Sequence, residues 1–292
     1  MESKIAWIQK RLVPRRASAQ APSQRDGAAP AGGGRTPVST VAQAAGFFSE
    51  YIALTVILIV FWQVMENAGA VNPVALPAPS AIFSRFLRLC GSGILGSNLL
   101  ISTGRVLAGY AISAAAAITL GIVLGLSPRA RRATDLIVQI MKPIPPIAWI
   151  PLVILWFGVG EASKIFLIFL GGFFSILINV IDGIRQTDGR LIEVARAMET
   201  PWRKYVFELV IPAALPAIFT GLKVGLSSCW MCVVAAELVA ASSGLGYMIM
   251  NARQFSQTDV VIVGMLTIGV VGKLMDSGVK VLERRAVKWQ TK

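Results

Sequence analysis

The chain alternates between long apolar runs and short polar segments, and the runs match the length of a bilayer crossing. Six stand out, at roughly 47–65, 106–126, 135–157, 164–181, 213–238 and 260–281. Each approaches the ~20 residues a helix needs to cross a hydrocarbon core of ~30 Å. Lipid offers no hydrogen-bond partners, so the backbone there must satisfy itself, and the pattern predicts helices. Between the fourth and fifth runs the pattern changes. Leu191, Val194, Ala195 and Met198 recur at helical spacing among charged residues. After Thr200-Pro201 a second set, Trp202, Tyr205, Val206, Leu209 and Val210, shares a face, with Arg203, Lys204 and Glu208 off it. This predicts two short amphipathic helices. Thr200 is expected as the second helix's N-cap and Pro201 as its first residue. Pro212 and Pro216 then mark the entry to the fifth run.

Composition agrees with a membrane protein. Of 292 residues, 55% are hydrophobic and 15% charged, where a soluble domain has about a quarter charged. The net charge of +13 would suit nucleic acid, but its placement argues for topology. Basic residues crowd residues 1–46, the segment after span 2 (Arg129, Arg131, Arg132), the segment after span 4 (Arg185, Arg190, Arg196, Arg203, Lys204) and the tail. The alternate segments are poor, with Arg85 and Arg88 in the first, Lys164 at the edge of the second and Arg253 in the third. The positive-inside bias therefore predicts both termini and the 182–212 loop in the cytoplasm.

The expected class is an all-α polytopic membrane protein with six transmembrane helices. Residues 1–45 read as a cytoplasmic N-terminal segment: an amphipathic stretch with Ile5, Ile8 and Leu12 on one face, then an Ala-, Pro-, Gly- and Ser-rich linker. Residues 46–105 hold the first span, retained as an anchor, and an outer segment. Residues 106–281 form the core, and 282–292 a basic cytoplasmic tail.

Histidine is absent, which removes the commonest general base and metal ligand. Cys229 and Cys232 form a C-x-x-C inside span 5 without a second pair, which fits small buried thiols better than a metal site. No catalytic or metal-ligating residue is expected. "LPAPS" (76–80) predicts a rigid turn and helix start. Ala117, Gly121 and Gly125, at spacing four, predict close helix packing. Pro143, Pro145, Pro146 and Pro151 predict a kinked or interrupted third span.

Ionisable residues at bilayer depth are candidate functional groups. Glu237 lies in span 5 on a stripe with Lys223, Ser227, Trp230 and Val234. That stripe either faces a translocation cavity or leaves Glu237 near the outer end in partial contact with water, with Lys223 reaching the cytoplasmic interface. Lys142 and Asn179 either contact an anion or satisfy broken-helix carbonyls. Lys273 and Asp276, at i and i+3, are read as a structural ion pair. Gly244 and Gly246 in "SSGLGYM" (242–248) allow close backbone packing.

Periodicity alone leaves the 193–212 segment between docking on another protein and lying on the headgroups. Its sequence, "EVARAMETPWRKYVFELVIPAALP", resembles the EAA motif of ATP-binding-cassette importer permeases. Glu193 and Ala195 match its start, and Ile211, Pro212, Leu215 and Pro216 its end. The resemblance runs from about residue 76 to 290. "KPIPPIAWIPLVILWFGVGEASKI" (142–165), "AAELVAASSGLGYMI" (235–249) and "QTDVVIVGM" (257–265) look like the nitrate/sulfonate/taurine branch.

The resemblance implies a six-helix, type I importer (MetI-like) permease fold in a bacterial inner membrane, paired with a second copy of itself. It implies two separate ATPase subunits, which bind ATP and Mg, and a solute-binding protein that delivers a small anion. Sulfonate or taurine comes first, then nitrate or bicarbonate. Glu193, Ala195, Arg196, Met198, Glu199, Trp202 and Arg203 would lie in the coupling helix region seated on the ATPase, and Gly244 and Gly246 near an outer gate. The chain itself has no phosphate-binding G-x-x-x-x-G-K-[ST] loop; "GVVGKL" (269–274) lacks the spacing and the hydroxyl residue. One departure stands out: Glu199 falls where the family has glycine. A turn there that favours positive φ is costly for Glu, so the expectation is a turn made differently around Pro201. The rival reading, an ion-coupled secondary transporter, would need a buried acidic or histidine relay.

Overall fold

A computed structural model describes residues 53–70 and 72–286. The N-terminal amphipathic stretch, the linker and residues 287–292 lie outside the described residues, as does the predicted start of span 1. The chain divides into two compact units, Met1–Thr55 and Val56–Lys292, and the contacts below are within the second.

All the regular elements described are helices. α1 is Ala53–Asn67 and α2 is Pro79–Gly91. α3 (Ile94–Leu126), α4 (Pro128–Met141) and α5 (Ile150–Phe157) follow. α6 (Glu161–Arg185) leads to the short α7 (Gly189–Ala197). A helical turn, Trp202–Lys204, and a π-helix, Tyr205–Val210, then run into α8 (Ile211–Ala240). α9 (Leu245–Gln254) and α10 (Thr258–Ala286) complete the chain.

Four helical segments are long and apolar enough to cross a membrane: α3, α6, Trp202–Val239 and α10. The third span, over 135–157, is interrupted as its prolines predict. It is two helices, α4 and α5, bent by 88°. Prolines 143, 145 and 146 occupy the break, each removing a donor, and Pro145, before Pro146, is extended at φ −60 and ψ 136. Pro146 opens a 3-10 turn (Pro146–Trp149) and Pro151 sits in the first turn of α5, where its missing N–H costs nothing. α1, a shorter apolar helix of 15 residues, falls within the first apolar run. The four long helices and the bent pair fall on the other five.

α2 begins at Pro79 as "LPAPS" predicts. α3 begins at Ile94, twelve residues before the predicted start at 106. Its first turns hold Ser97, Asn98, Ser102 and Arg105, whose polarity hides the helix from a hydropathy reading. Gly93, with φ 74, separates it from α2.

α6 is the hub and packs most extensively on α8 and α3. Both contacts are close because one side offers glycine. A Cβ on Gly121 would stand 2.7 Å from Val180, and one on Gly109 2.6 Å from Ile168. On the other flank, Gly225 receives Ile176 and Gly221 receives Asn179. Cys229 and Cys232 close onto Gly172 and Gly171, so the C-x-x-C serves helix packing, and both thiols are free. Two larger core clusters result, beside a smaller one of Ile150, Val153, Leu167 and Ala236. One lies around Ile176, Leu177 and Val180 toward the 189–210 hairpin, the other around Ile168, Trp230 and Leu245 toward the opposite end.

Gly121→Ala is expected to cost ~1–3 kcal/mol by overpacking. Gly104→Ala, in the same helix with nothing within 4 Å, should be neutral or stabilise by up to ~1 kcal/mol. Thermal unfolding of the two purified variants beside wild type checks the difference.

Candidate functional site

The segment between α6 and α8 folds as the predicted helical hairpin, but its turn differs in two ways. Glu199 does adopt a left-handed conformation, φ 49, although its Cβ makes that costly. The strain is offset by a closed helix end: the Thr200 N–H donates to the Ala195 carbonyl at 3.0 Å and the Met198 N–H to Val194 at 3.0 Å. A 6→1 bond around a left-handed residue is the Schellman arrangement, in which glycine is usual. The turn is therefore made where the resemblance places glycine, and the expectation of a different turn is corrected. Pro201, not Thr200, is the N-cap, with φ −56 and ψ 142 and no side-chain cap bond; Trp202 is the first helical residue.

Of the predicted faces, Val206 and Val210 are buried against the bundle. Leu191, Val194, Met198, Trp202 and Phe207 are exposed, Met198 at 74% and Trp202 at 63%. Trp202 thus parts from the buried Val206 and Val210, with which it was expected to share a face, and stacks on Tyr205 at 5.6 Å. Glu193 and Arg203 are exposed, and Ala195 is half-buried. Behind the hairpin is a cavity of ≈ 720 Å³, walled by Gly125, Leu126, Ile184 and Arg185 from the spans and by Ala195, Glu199, Thr200, Trp202 and Tyr205 from the hairpin.

The span-5 stripe does not face one cavity. Lys223 approaches Asp276 at 3.8 Å, and Trp230 is buried, donating from Nε1 to the Ile268 carbonyl at 3.0 Å. Ser227 and Trp230 share a cavity of ≈ 260 Å³ between α8 and α10, while Glu237 faces α3. Asn179 donates to the Ser175 carbonyl of its own helix at 2.8 Å, and Lys142 is exposed at the end of α4. Of the five predicted path residues, only Ser227 and Trp230 are brought together. Asp276 pairs with Lys280 at 2.9 Å rather than with Lys273, because i+4 on this helix face is nearer than i−3.

Glu237 is 1% exposed, which replaces the expected contact with water by an ion pair. Its partner is Arg105, whose five N–H groups are all used. Nε donates to Glu161 at 2.7 Å, Nη1 to Glu237 and to the Ser243 carbonyl at 2.7 Å each, and Nη2 to Glu161 at 2.6 Å and Ser243 Oγ at 3.0 Å. Glu237 also accepts from Ser102 Oγ at 2.8 Å and from the Gly246 N–H at 2.9 Å. Lys164 donates to Glu161 at 2.9 Å, so two cations meet two carboxylates and the cluster is neutral. Its location joins α3, the start of α6, the end of α8 and the 243–246 turn, at the end of the bundle away from the hairpin.

Gly244 and Gly246 form the cradle. Gly244 has φ 109, and a Cβ there would overlap the Glu237 carboxylate; one on Gly246 would stand 2.7 Å from Glu237 Cβ. The Gly244 N–H donates to Asn98 at 2.8 Å and the Leu245 N–H to Ser102 at 2.9 Å. The sequence reading gave Arg105 and Ser102 no role. The signal was present: Arg105, Gly109, Ser113, Ala117, Gly121 and Gly125 are spaced by four, so the small-residue stripe extended backwards places Arg105 on the buried face.

A bundle of close-packed apolar helices, broken once and carrying an amphipathic hairpin at one end, defines a polytopic membrane protein of the transport-permease class. The chain belongs to the family described as binding-protein-dependent transport system inner membrane component, whose pattern matches residues 117–288. It is 44% identical over 239 residues to the putative aliphatic sulfonates transport permease protein SsuC of Bacillus subtilis, covering 82% of this chain and 87% of that one. It is 34% identical over 241 residues to the taurine transport system permease protein TauC of Escherichia coli, covering 81% and 87%. Among solved structures, the MetNI methionine ABC transporter in inward-facing conformations matches with a TM-score of 0.52 at 21% identity, over 64% of this chain and 94% of that one. That likeness shows a MetI-like fold. The chain is the multi-pass membrane permease component of an ABC transport system.

Gly244→Ala is expected to lower stability by ~2–4 kcal/mol, combining left-handed strain with displacement of Glu237. Gly69→Ala, with φ 68 but open space around it, should lose only the ~1–2 kcal/mol of strain. Chemical unfolding in detergent separates the two.

Proposed function

We propose that this permease moves a small organic sulfonate, taurine-like in size and charge, across the inner membrane after delivery by a solute-binding protein. Nitrate or bicarbonate is the next candidate. Two copies of the chain form the pathway, and two separate ATPase subunits, which bind ATP and Mg, dock on the hairpin from the cytoplasm. Both termini lie on that side. The substrate class rests on the relatives named for sulfonates and taurine; the chain's own residues contribute the coupling.

The observation that carries the coupling is the exposed apolar ridge of the hairpin. Leu191, Val194 and Met198 stand outward from α7, with Trp202 and Phe207 beside them. Such side chains are costly in water and sit among Glu193, Arg203 and Lys204, the pattern of a helix meant for a groove on another protein. The closed turn at Glu199 fixes the angle between the two short helices, so a push on α7 passes through Tyr205–Val210 into α8 rather than being absorbed in a loop. At the other end, the Gly244–Gly246 turn ties α8 to α3 and acts as the outer gate's fixed point.

A secondary transporter would need a buried carboxylate free to take up a cation. Glu237, the residue suited to that, is occupied by Arg105, Ser102 and the Gly246 amide.

Co-purification from membranes tests the docking. Wild-type chain should bring down an ATP-hydrolysing subunit, Glu193→Ala should retain less of it, and Val194→Asp should lose it while remaining folded. A complex that survives Val194→Asp unchanged, or no ATPase with wild type under conditions that preserve membrane assemblies, contradicts it.

A further inference from the structure

Of the docking ridge, Trp202 alone reaches the cavity behind the hairpin; Leu191, Val194, Met198 and Phe207 do not line it. We propose that it binds the headgroup of an aminophospholipid, with the phosphate on Arg185 and the primary ammonium on Glu199. The volume, ≈ 720 Å³, falls in the usual range for small-molecule sites. Its floor is apolar, made by Leu126 and Ile184 at the ends of α3 and α6. Those helix ends are where apolar span gives way to charge, the level of the headgroups. Trp202 and Tyr205 in the same wall are the side chains that favour this interface.

The charges select the headgroup. Among the described residues, Arg185 and Glu199 are the two charged ones that line the cavity. The nearest acid to Arg185 is Asp182 at 3.9 Å, with both side chains about half exposed, a pair that holds the guanidinium weakly. Glu199 has no ion-pair partner among the described residues. An anionic lipid would leave Glu199 facing a phosphate, and a choline headgroup has no N–H to give it. A phosphoethanolamine group supplies one phosphate for the guanidinium and one N–H-bearing cation for the carboxylate. The left-handed turn at Glu199, φ 49, places that residue at the cavity wall.

The test uses the full chain alone, so it does not depend on ATPase docking. It is reconstituted in nanodiscs of phosphatidylcholine, with phosphatidylethanolamine or phosphatidylglycerol added, and read by melting temperature and by lipid retained in native mass spectrometry. Phosphatidylethanolamine is expected to raise the melting temperature and to be retained over the other two. Arg185→Gln should lose retention of all three, and Glu199→Gln only the preference for phosphatidylethanolamine over phosphatidylcholine. Wild type that melts alike in all three discs and retains no lipid selectively overturns the proposal, as does a pair of Gln variants that retain phosphatidylethanolamine like wild type. Soluble phosphoethanolamine that reproduces the shift in phosphatidylcholine discs would overturn the assignment to lipid. If either variant fails to fold, the wild-type comparison among the three discs decides.

Discussion

The buried pair between Arg105 and Glu237 is the constraint on which the half of the bundle away from the hairpin depends. Two charges taken out of water at this depth are tolerable only if every polar atom finds a partner. That requirement explains several features together. It fixes Ser102 on α3 and Ser243 beyond α8, demands bare amides at Gly244 and Gly246, and draws Glu161 and Lys164 at the start of α6 into the same network. Three spans are thereby pinned at one end by geometry, where lipid-exposed apolar packing alone would let them slide.

The other end of the bundle is built on different physics. There α3, α6 and α8 meet through glycines and alanines, so the backbones approach closely and dispersion replaces charge. The hairpin hangs from this end, its inner valines packed on the core and its outer ridge unsatisfied. This division suits the coupling proposed above: a close-packed bundle, and a handle by which a separate ATPase would grip it. α8 runs between the two, from the π-helix beneath the hairpin to Glu237 beside the 243–246 turn.

Much of this was legible in the sequence. Apolar runs gave the spans, proline clustering gave the break, and the periodicity of residues 191–210 gave the hairpin, because each depends on local pattern. What stayed hidden depends on long-range pairing. The first turns of α3 read as an outer segment because Asn98, Ser102 and Arg105 are polar, and only distant partners, Glu161, Glu237 and the 243–246 turn, make them tolerable in a bundle. The span-5 stripe shows the same limit: a stripe on one helix says which side chains share a face, not whether α10 or α3 covers that face. The turn at Glu199 was misjudged because local cost was weighed without the carbonyl of Ala195 that compensates it.

The central claim, that Arg105 and Glu237 stabilise the bundle as a pair, is tested most directly by a double-mutant cycle on unfolding. Arg105→Gln, Glu237→Gln and the double variant are compared with wild type in one detergent. Each single change should cost ~3–5 kcal/mol by stranding the remaining charge, and the double variant should be no less stable than the worse single one. If instead the two losses simply add, the residues act independently, and the pair is not what holds the end of the bundle away from the hairpin together.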